Sequence, residues 1–339
     1  MNRRTRINAY CSEWHKMRSG AFHKILVAPL RPYAEVDLVS WDGSSVLPEM
    51  RRNEPAVFCS NVPPRELLSA GSKNLIWIPM WDGVRQRPNS WWRGFPSSLR
   101  IVAFSRGIAE RCEHAGFEYI RLQYFNNPDE LAPADFSSGR VLFYWNRRGL
   151  LSKRFLRKFC DVVNVDEVIL HDVPDPGYED ARLGAAHILP RSRKLTYCDG
   201  FLPAGDYRAI RDRANLFIAP RLYEGVGVAL LEALARGAAV FGPDEATMNE
   251  YIVNGENGYL FDSHDMYVPF ATRVRRKAGL LLGHGAMDVP DVLGMNQDWN
   301  AISTLDLVSL GNNARDSHAA GYVRWKASVP EYAEFVLSW

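Results

Sequence analysis

The sequence lacks the features that mark membrane-spanning and secreted proteins. No apolar run reaches the roughly 18 residues of a membrane span, and no apolar segment of the kind found in signal peptides follows the basic N-terminus. The five cysteines are widely spaced, with no CxxC pair and no Cys/His cluster, so neither a disulfide framework nor a zinc site is indicated. We therefore expect a protein of the reducing cytoplasm.

An excess of charge of one sign is also missing. Lys and Arg number 41 against 39 Asp and Glu, and the resulting net charge of +2 argues against nucleic acid as a partner. Hydrophobic residues make up 47% and charged residues 24% of the chain, as in ordinary globular proteins. Because 339 residues exceed what one ordinary core serves, two domains are expected.

Short apolar runs alternate with helix-like stretches in both halves, which favours parallel sheets with crossover helices. The first half contains RINAYC, EVDLVSW, AVFCS, NLIWIP and LRIVAFS, followed by a helix that Ser105 caps and Gly116 ends. The second half contains RVLFYW, EVILHDV, KLTYCDGF, NLFIAP, AAVFGP and GYLF, with helices expected at 153–163, 203–214, 227–235 and 246–253. The polar stretch 123–139 separates the halves. The sequence thus predicts an α/β fold with two Rossmann-like, doubly wound domains.

Two carboxylates flank a glycine turn in RLYEGVGVALLEALARGAAVFGP at 221–243. Gly225 and Gly227 allow close approach of a ligand to the backbone, and the amides at the following helix start favour an anion. Glu224 and Glu232 could each accept hydrogen bonds from paired hydroxyls, and a nucleotide sugar has both phosphates and such hydroxyls. The alternative is structural: Glu232 pairs with Arg236 one turn further on, and Glu224 is a turn acid favoured by the helix dipole.

The same stretch resembles the Glu-x7-Glu signature of the retaining nucleotide-sugar glycosyltransferases of the GT-B fold, called group one or family four. EGVGVALLEALARG at 224–237 follows that signature, and IVNGENGYLFD at 252–262 resembles a second family segment. Val226 and the Val228-Ala229 pair depart from the usual residues. The resemblance implies that Glu232 binds the ribose hydroxyls and that Glu224 acts at the donor sugar, with Gly225, Val226, Gly227 and Val228 lining the donor.

The family also has an Arg and a Lys after the first strand of the C-terminal domain, where they bind the donor diphosphate. Arg147, Arg148 and Lys153 follow RVLFYW here, and the sequence does not choose between the two arginines. The family's glycine before the Arg is replaced by Asn146. The alternative interpretation is a basic helix start on a solvated face.

Further positions follow from the resemblance. Gly20 lies in the first glycine loop, where relatives carry a glycine pair. Asp82 follows a strand where relatives often have a His or Asp facing the cleft, so it is a second catalytic candidate; an ordinary Asp-Gly turn is the alternative. Asp199 and Gly200 end KLTYCDGF, where relatives bind the base through backbone groups.

The C-terminal residues resemble the family's N-A-R motif and its Trp-containing helix, which crosses back to the N-terminal domain. We therefore expect an acceptor-side domain at 1–128, a nucleotide-sugar-binding domain at 135–318 and a crossing helix at 319–339. The two domains are expected to face each other across a cleft that closes by a hinge motion. The stretch 263–310 is less legible, and an irregular excursion or extra helices are the two alternatives.

The implied activity is that of a hexosyltransferase-like enzyme that moves a sugar from a nucleotide diphosphate donor to an acceptor hydroxyl, with retention and without a metal or other cofactor. The expected partners are a nucleotide sugar and a sugar, lipid-linked or other hydroxyl acceptor. NSWWRGF at 89–95 suggests peripheral membrane contact, and an acceptor pocket or buried aromatic pair is the alternative. A nucleotide-sugar epimerase or a catalytically silent binding protein on the same fold is the competing reading.

Overall fold

A computed structural model describes residues 5–18, 22–43, 54–69, 74–185, 189, 193–267 and 292–338. The chain divides into two compact units. Unit 1 comprises Met1–Phe125, Tyr223–Val228 and Ala320–Trp339, and unit 2 comprises Asn126–Leu222 and Ala229–Ala319. Each unit contains one six-stranded parallel sheet.

The sheet of unit 1 consists of β1 (Arg6–Cys11), β2 (Glu35–Ser40), β3 (Ala56–Cys59), β4 (Leu75–Ile78), β5 (Arg100–Ala103) and β6 (Tyr119–Arg121). Its order is β2-β1-β3-β4-β5-β6, and every pairing is parallel. All residues of β3, β4 and β5 are buried, as expected where helices cover both faces of a parallel sheet.

The helices of this unit are α1 (Glu13–Arg18), α2 (Arg65–Ser69), α3 (Trp81–Val84), α4 (Asn89–Trp92) and α5 (Arg106–Ala115), with a π-helical turn at His23–Val27. The predicted limits of α5 are confirmed. The Ser105 hydroxyl accepts a hydrogen bond from the amide of Ile108, and Gly116 ends the helix in the left-handed conformation.

The sheet of unit 2 consists of β7 (Val141–Trp145), β8 (Glu167–His171), β9 (Lys194–Cys198), β10 (Leu216–Ile218), β11 (Ala239–Pro243) and β12 (Tyr259–Phe261). It is followed along the chain by a short antiparallel pair, β13 (Met266–Tyr267) and β14 (Val292–Leu293). The helices are α6 (Lys153–Val163), α7 (Ala204–Asp212), α8 (Val228–Arg236), α9 (Trp299–Ser303) and α10 (Leu307–Leu337).

The strand order of unit 2 is β12-β11-β10-β7-β8-β9, again entirely parallel. The chain winds in one direction from β7 to β9 and in the other from β10 to β12, so the order reverses between β7 and β10. Ligands of doubly wound sheets bind beyond the carboxyl ends of the strands at such a switch point. The loops after β7, β8 and β10 therefore frame the expected ligand position in this unit.

The predicted fold class is confirmed by these two doubly wound sheets. Two local predictions need correction. The sequence did not indicate β6, because YIR has one buried residue between a half-buried tyrosine and an exposed arginine and so gives no apolar run. The helix expected at 246–253 is wrong: only a 3-10 turn, Met248–Glu250, forms there. The side chains of Met248 and Ile252 both pack over Gly242. The segment 248–252 therefore lies close against the end of β11.

The tryptophan pair in 89–95 belongs to the aromatic core of unit 1. Trp92 is 1% exposed, and its ring lies 5.5 Å from that of Trp77. Trp91 packs against Trp77 and against Phe95, with ring centres 6.1 and 4.8 Å apart. The alternative interpretation, a buried aromatic pair, therefore describes Trp92, whereas Trp91 is half-buried at the edge of this core; membrane contact by the segment stays a prediction. Among the described residues, no helix combines the length and hydropathy needed to cross a bilayer.

Helix α10 is continuous over 31 residues, with Pro330 inside it, and the chain passes from unit 2 to unit 1 within it. In unit 2, Nε2 of His318 lies 3.0 Å from the carbonyl oxygen of Asn126. In unit 1, the hydroxyl of Tyr332 donates a hydrogen bond to the carbonyl of Leu26. Burial lowers the pKa of His318 to about 4, so this imidazole is neutral at physiological pH.

A buried arginine ties α8 to the preceding segments of unit 2. Arg236 is 2% exposed, and its guanidinium donates hydrogen bonds to four backbone carbonyls, those of Ala132, Arg211, Asp212 and Ala214, at 2.6–3.0 Å. A planar cation with five donors suits this arrangement of carbonyl oxygens. The side chain therefore fixes the position of α8 against the end of α7.

Replacing Arg236 with Leu is expected to destabilise the protein by at least about 3 kcal/mol, because buried carbonyls would lose charged donors. Urea unfolding measures this change. Arg208→Leu, on an exposed position of α7, is the matched control and should shift the free energy of unfolding by less than about 0.5 kcal/mol. Equal effects of the two substitutions would contradict the anchoring role.

Candidate functional site

Three arginines converge on one carboxylate at the switch point of unit 2. Arg147 and Arg148 follow β7, Arg221 follows β10, and Asp175 follows β8. Oδ1 of Asp175 accepts a hydrogen bond from Nε of Arg147 at 2.8 Å. Oδ2 accepts bonds from Nε of Arg148 at 2.9 Å, and from Nη2 and Nε of Arg221 at 2.7 and 3.1 Å. The backbone amide of Asp175 also donates to the Arg147 carbonyl, which joins the two loops directly.

This cluster is half-buried and carries excess positive charge. The Asp175 side chain is 13% exposed, and that of Arg221 is 10% exposed. Burial acts to raise the pKa of Asp175, but the positive charges of Arg147 and Arg221 and the hydrogen bonds from Arg221 and Arg148 outweigh it and lower the pKa. The three guanidinium groups and the one ionised carboxylate of this cluster together carry a net charge of +2.

Asn146, which replaces the glycine usual in the resembled family, has a structural role beside the cluster. It is fully buried; its amide group donates to Oδ1 of Asp172 at 2.7 Å and to the carbonyl of Ala181 at 2.8 Å, and its oxygen accepts from the amide of Gly149 at 3.1 Å. Asp172 also accepts from the hydroxyl of Tyr197 at 3.0 Å. Asn146 therefore fixes the loop that carries Arg147 and Arg148.

Aromatic side chains form one wall next to the cluster. Trp145 ends β7 and stacks on His171 at the end of β8, with ring centres 5.1 Å apart and planes 11° apart. The guanidinium of Arg147 lies 4.9 Å from the Trp145 ring centre, and the Tyr207 ring contacts both Trp145 and His171. Burial lowers the pKa of His171. An interaction with the Gly200 backbone and the charge of Asp172 both act to raise this pKa, but burial has the larger effect.

Glu232 lies on α8 and binds an arginine from α7. Its Oε2 accepts a hydrogen bond from Nη1 of Arg211 at 2.6 Å, and Arg211 also binds Asp212. Arg236, the alternative partner suggested by spacing, donates to backbone carbonyls instead. Burial and the charge of Glu232 raise the pKa of Tyr207, whereas Arg211 and Arg147 lower it. Glu232 and the arginine cluster therefore both lie close enough to the Tyr207 hydroxyl to change its pKa.

The other glutamate lies in a segment that packs in unit 1. Glu224 is 9% exposed, and its neighbours contact the turn that holds Asp82: the Arg85 guanidinium lies 3.6 Å from the Tyr223 ring centre. A Cβ atom placed on Gly225 would lie 2.7 Å from Sδ of Met80, so this close approach requires glycine. Gly227 adopts a φ of 72°, another conformation that favours glycine, and Val226 is buried.

Asp82 occupies the first turn of α3 and is half-buried. Its charge acts to raise the pKa of His15, but burial has the larger effect and the pKa of His15 is lowered overall. His15 in turn shares a 2.9 Å hydrogen bond with the hydroxyl of Ser12, directly after β1. The structure therefore brings the Glu224 segment, Asp82 and His15 into one region of unit 1.

The remaining candidates are distributed around unit 2. Lys153 is the first residue of α6, after the N-cap Ser152. Asp199 and Gly200 follow β9 and are exposed, and the carbonyl of Asp199 accepts a hydrogen bond from Arg182 at 3.2 Å. Val228 begins α8. Gly20 lies outside the described residues.

The sequence did not identify these residues as parts of the site: Trp145, His171, Asp175, Tyr207, Arg211 and Arg221. Arg221 carries a usable signal, because it directly follows a strand that ends at the switch point. Among the residues that the structure describes, no group of three or more His, Cys, Asp or Glu side chains could hold a metal ion.

The family model described as "Glycosyl transferases group 1" matches residues 196–269. The match runs from β9 past β12 and includes both glutamates, Arg211 and Arg221. Within this range the chain is similar to group 1 glycosyltransferases.

Curated relatives match over parts of the chain. A sucrose synthase from Melioribacter roseus is 41% identical over 73 residues, which is 20% of this chain and 9% of that protein. The matching relatives are sucrose synthases and serotype-specific mannosyltransferases, and the chain spans between 7% and 16% of their length.

Solved structures share the fold over the whole chain. A glycosyltransferase from Rickettsia africae aligns with a TM-score of 0.60 and 14% identity, with all of both chains covered. HepE from Anabaena, solved in complex with UDP and glucose, aligns with a TM-score of 0.52 and 13% identity over 97% of this chain and 99% of that chain. At this identity the likeness shows the fold class alone, and it agrees with the two sheets of a GT-B glycosyltransferase.

Because its pKa is lowered on folding, the ionised Asp175 should stabilise the folded state above the pH at which it titrates in the unfolded chain. We expect the free-energy difference between wild type and Asp175→Asn to be constant above pH ~5 and to shrink as the pH falls below ~4. Chemical unfolding at a series of pH values measures it. A difference that grows on acidification would show that the carboxyl is instead favoured in its neutral form.

Proposed function

We propose that this protein is a glycosyltransferase that moves a sugar from a nucleoside diphosphate donor to an acceptor hydroxyl. The observation that carries the proposal is the net positive cluster of Arg147, Arg148 and Arg221 at the switch point of unit 2. It stands in a unit whose residues 196–269 match group 1 glycosyltransferases.

In this proposal the donor diphosphate binds the arginine cluster. Guanidinium groups suit this task because their forked donors match phosphate oxygens, and they remain charged at any physiological pH. Lys153 adds a point charge at the start of α6, and the amides at the start of α8 favour an anion. These groups stabilise the charge that develops on the departing diphosphate.

The nucleoside part of the donor is proposed to lie near Glu232 and the end of β9. Arg211 binds Oε2 of Glu232 and so sets the orientation of the carboxylate toward a pair of ribose hydroxyls. Asp199 and Gly200, exposed after β9, supply backbone groups to the base. Trp145, His171 and Tyr207 form the aromatic wall of this site.

The chemical step breaks the bond between the anomeric carbon and the diphosphate oxygen and forms a bond to the acceptor oxygen. We propose that Glu224 holds the hydroxyls of the transferred sugar, and that Asp82 orients the acceptor hydroxyl. The acceptor proton passes to the leaving diphosphate, which allows attack on the same face and retention of configuration. The positive charge required by the leaving group comes from the arginines.

The relatives support a hexose as the transferred sugar without choosing one, because they include sucrose synthases and mannosyltransferases. HepE, solved with UDP and glucose, supports a nucleoside diphosphate as the donor's leaving group. A cytoplasmic site of action, on a sugar or lipid-linked acceptor of polysaccharide or glycoconjugate synthesis, is part of the same proposal.

Incubation of the purified protein with a panel of nucleotide hexoses tests the activity. We expect release of nucleoside diphosphate that depends on an added hydroxyl acceptor and persists after treatment with EDTA. Loss of activity in EDTA, restored by a divalent cation, would contradict the arginine-based stabilisation. Inversion of the sugar ring without transfer would identify an epimerase, and binding without turnover would identify a silent binding protein.

The two glutamates should have separable effects. Glu232→Gln is expected to weaken nucleoside diphosphate binding about tenfold, because a charged acceptor for the ribose is lost. Glu224→Gln is expected to lower kcat about 100-fold with little change in nucleoside diphosphate affinity.

Calorimetry and steady-state kinetics measure both effects. Glu256→Gln, at an exposed position of unit 2, is the control and should behave as wild type. Wild-type kinetics for both active-site variants would contradict the assignment of the two roles.

A further inference from the structure

The carboxylate at the centre of the arginine cluster has no place in the proposed chemistry. A site for an anionic donor gains affinity from positive charge, and a carboxylate within 3.1 Å of three guanidinium groups competes with the donor for them. Asp175 therefore lowers the affinity of this site for any phosphate. Because Asp175 lowers this affinity, we expect it to benefit the site in another way.

One contribution is geometric. Arg147 and Arg148 are neighbours in the chain, and Arg221 comes from another strand; without a shared acceptor their like charges repel. Asp175 binds Nε of both neighbours and two nitrogens of Arg221, so it fixes the planes of three flexible side chains before a ligand arrives. Holding such side chains in advance reduces the entropy lost on binding.

The other contribution is to the balance of charge. The three arginines and Asp175 together carry a net charge of +2, before Lys153 is counted, and so attract the two singly charged phosphates of a nucleotide sugar. Once the sugar has left, the terminal phosphate of the product ionises further and carries about −1.5 to −2. Without this carboxylate, the three arginines would bind the product more tightly than the donor. The Asp175 carboxylate lowers the affinity for both the donor and the product, and it has the larger effect on the more highly charged product.

We propose that Asp175 is a positioning residue that gathers the three arginines for the donor diphosphate and limits the affinity for the released nucleoside diphosphate. This proposal rests on the function proposed above. Asp175 does not touch the reacting atoms; it acts through Arg147, Arg148 and Arg221. The donor's phosphates share the arginines with Asp175, and the product leaves because the carboxylate continues to compete for them.

Asp175→Asn tests the proposal because it removes the charge and keeps the shape. We expect inorganic pyrophosphate and UDP to bind about tenfold more tightly than to wild type, and product inhibition by UDP to strengthen by a similar factor. The free energy of unfolding should fall, because three arginines lose their shared anion. A residue with a purely structural role would weaken binding and stability together, so opposite signs in the two measurements are the distinguishing result.

Asp161→Asn is the matched control. Asp161 also pairs with an arginine of unit 2, with Oδ1 2.7 Å from Arg193, but its side chain is 58% exposed and lies outside the cluster. This variant should bind pyrophosphate as wild type does. Tighter binding by Asp161→Asn as well would show a general effect of net charge and would overturn the proposal.

Asp175→Glu provides a second test if the Asn variant does not fold. It keeps the negative charge and moves it by one methylene, so product inhibition should stay within about threefold of wild type while kcat/KM for the donor falls. Product inhibition that strengthens tenfold in Asp175→Glu, or unchanged or weaker UDP binding in Asp175→Asn, would overturn the proposal. If the wild type itself binds neither UDP nor pyrophosphate, the proposed function fails first.

Discussion

The constraint on which the site of unit 2 depends is the burial of charge at the carboxyl ends of three neighbouring parallel strands. Sheet order brings the loops after β10, β7 and β8 together, and each contributes to one ionic cluster. Removing guanidinium and carboxylate groups from water is costly unless they bind one another with good geometry. Asp175 meets that condition for Arg147, Arg148 and Arg221, and the excess positive charge of these four groups is the basis of the anion site proposed here.

The surrounding residues show how the fold supports this cluster. Asn146 and Asp172 are fully buried, yet both are hydrogen-bonded into the loops that carry the charged residues. Arg236 performs a similar task for α8, on which Glu232 lies. Buried polar groups with complete sets of partners define one arrangement of loops, because any alternative leaves some of them unsatisfied. The candidate donor site is thus held by its polar neighbours as well as by the apolar sheet.

Much of this architecture could be predicted from the sequence. Apolar runs between turn residues indicated eleven of the twelve sheet strands, since burial on both faces leaves a continuous hydrophobic signal. The hydrogen-bond partners of the site residues were less predictable. Spacing on a helix suggested Arg236 for Glu232, but Arg211 binds it from 21 positions away, because α7 and α8 meet only in the folded sheet. Asp175 could not be recognised either, since its role depends on three loops that only the strand order brings together.

The most direct test of this account is the position of the phosphates in a crystal structure with a bound nucleoside diphosphate. The account predicts that phosphate oxygens lie within hydrogen-bonding distance of the guanidinium groups of Arg147, Arg148 or Arg221, with the ribose next to Glu232. Phosphates bound elsewhere, with the three arginines still bound to Asp175 and remote from the ligand, would contradict it.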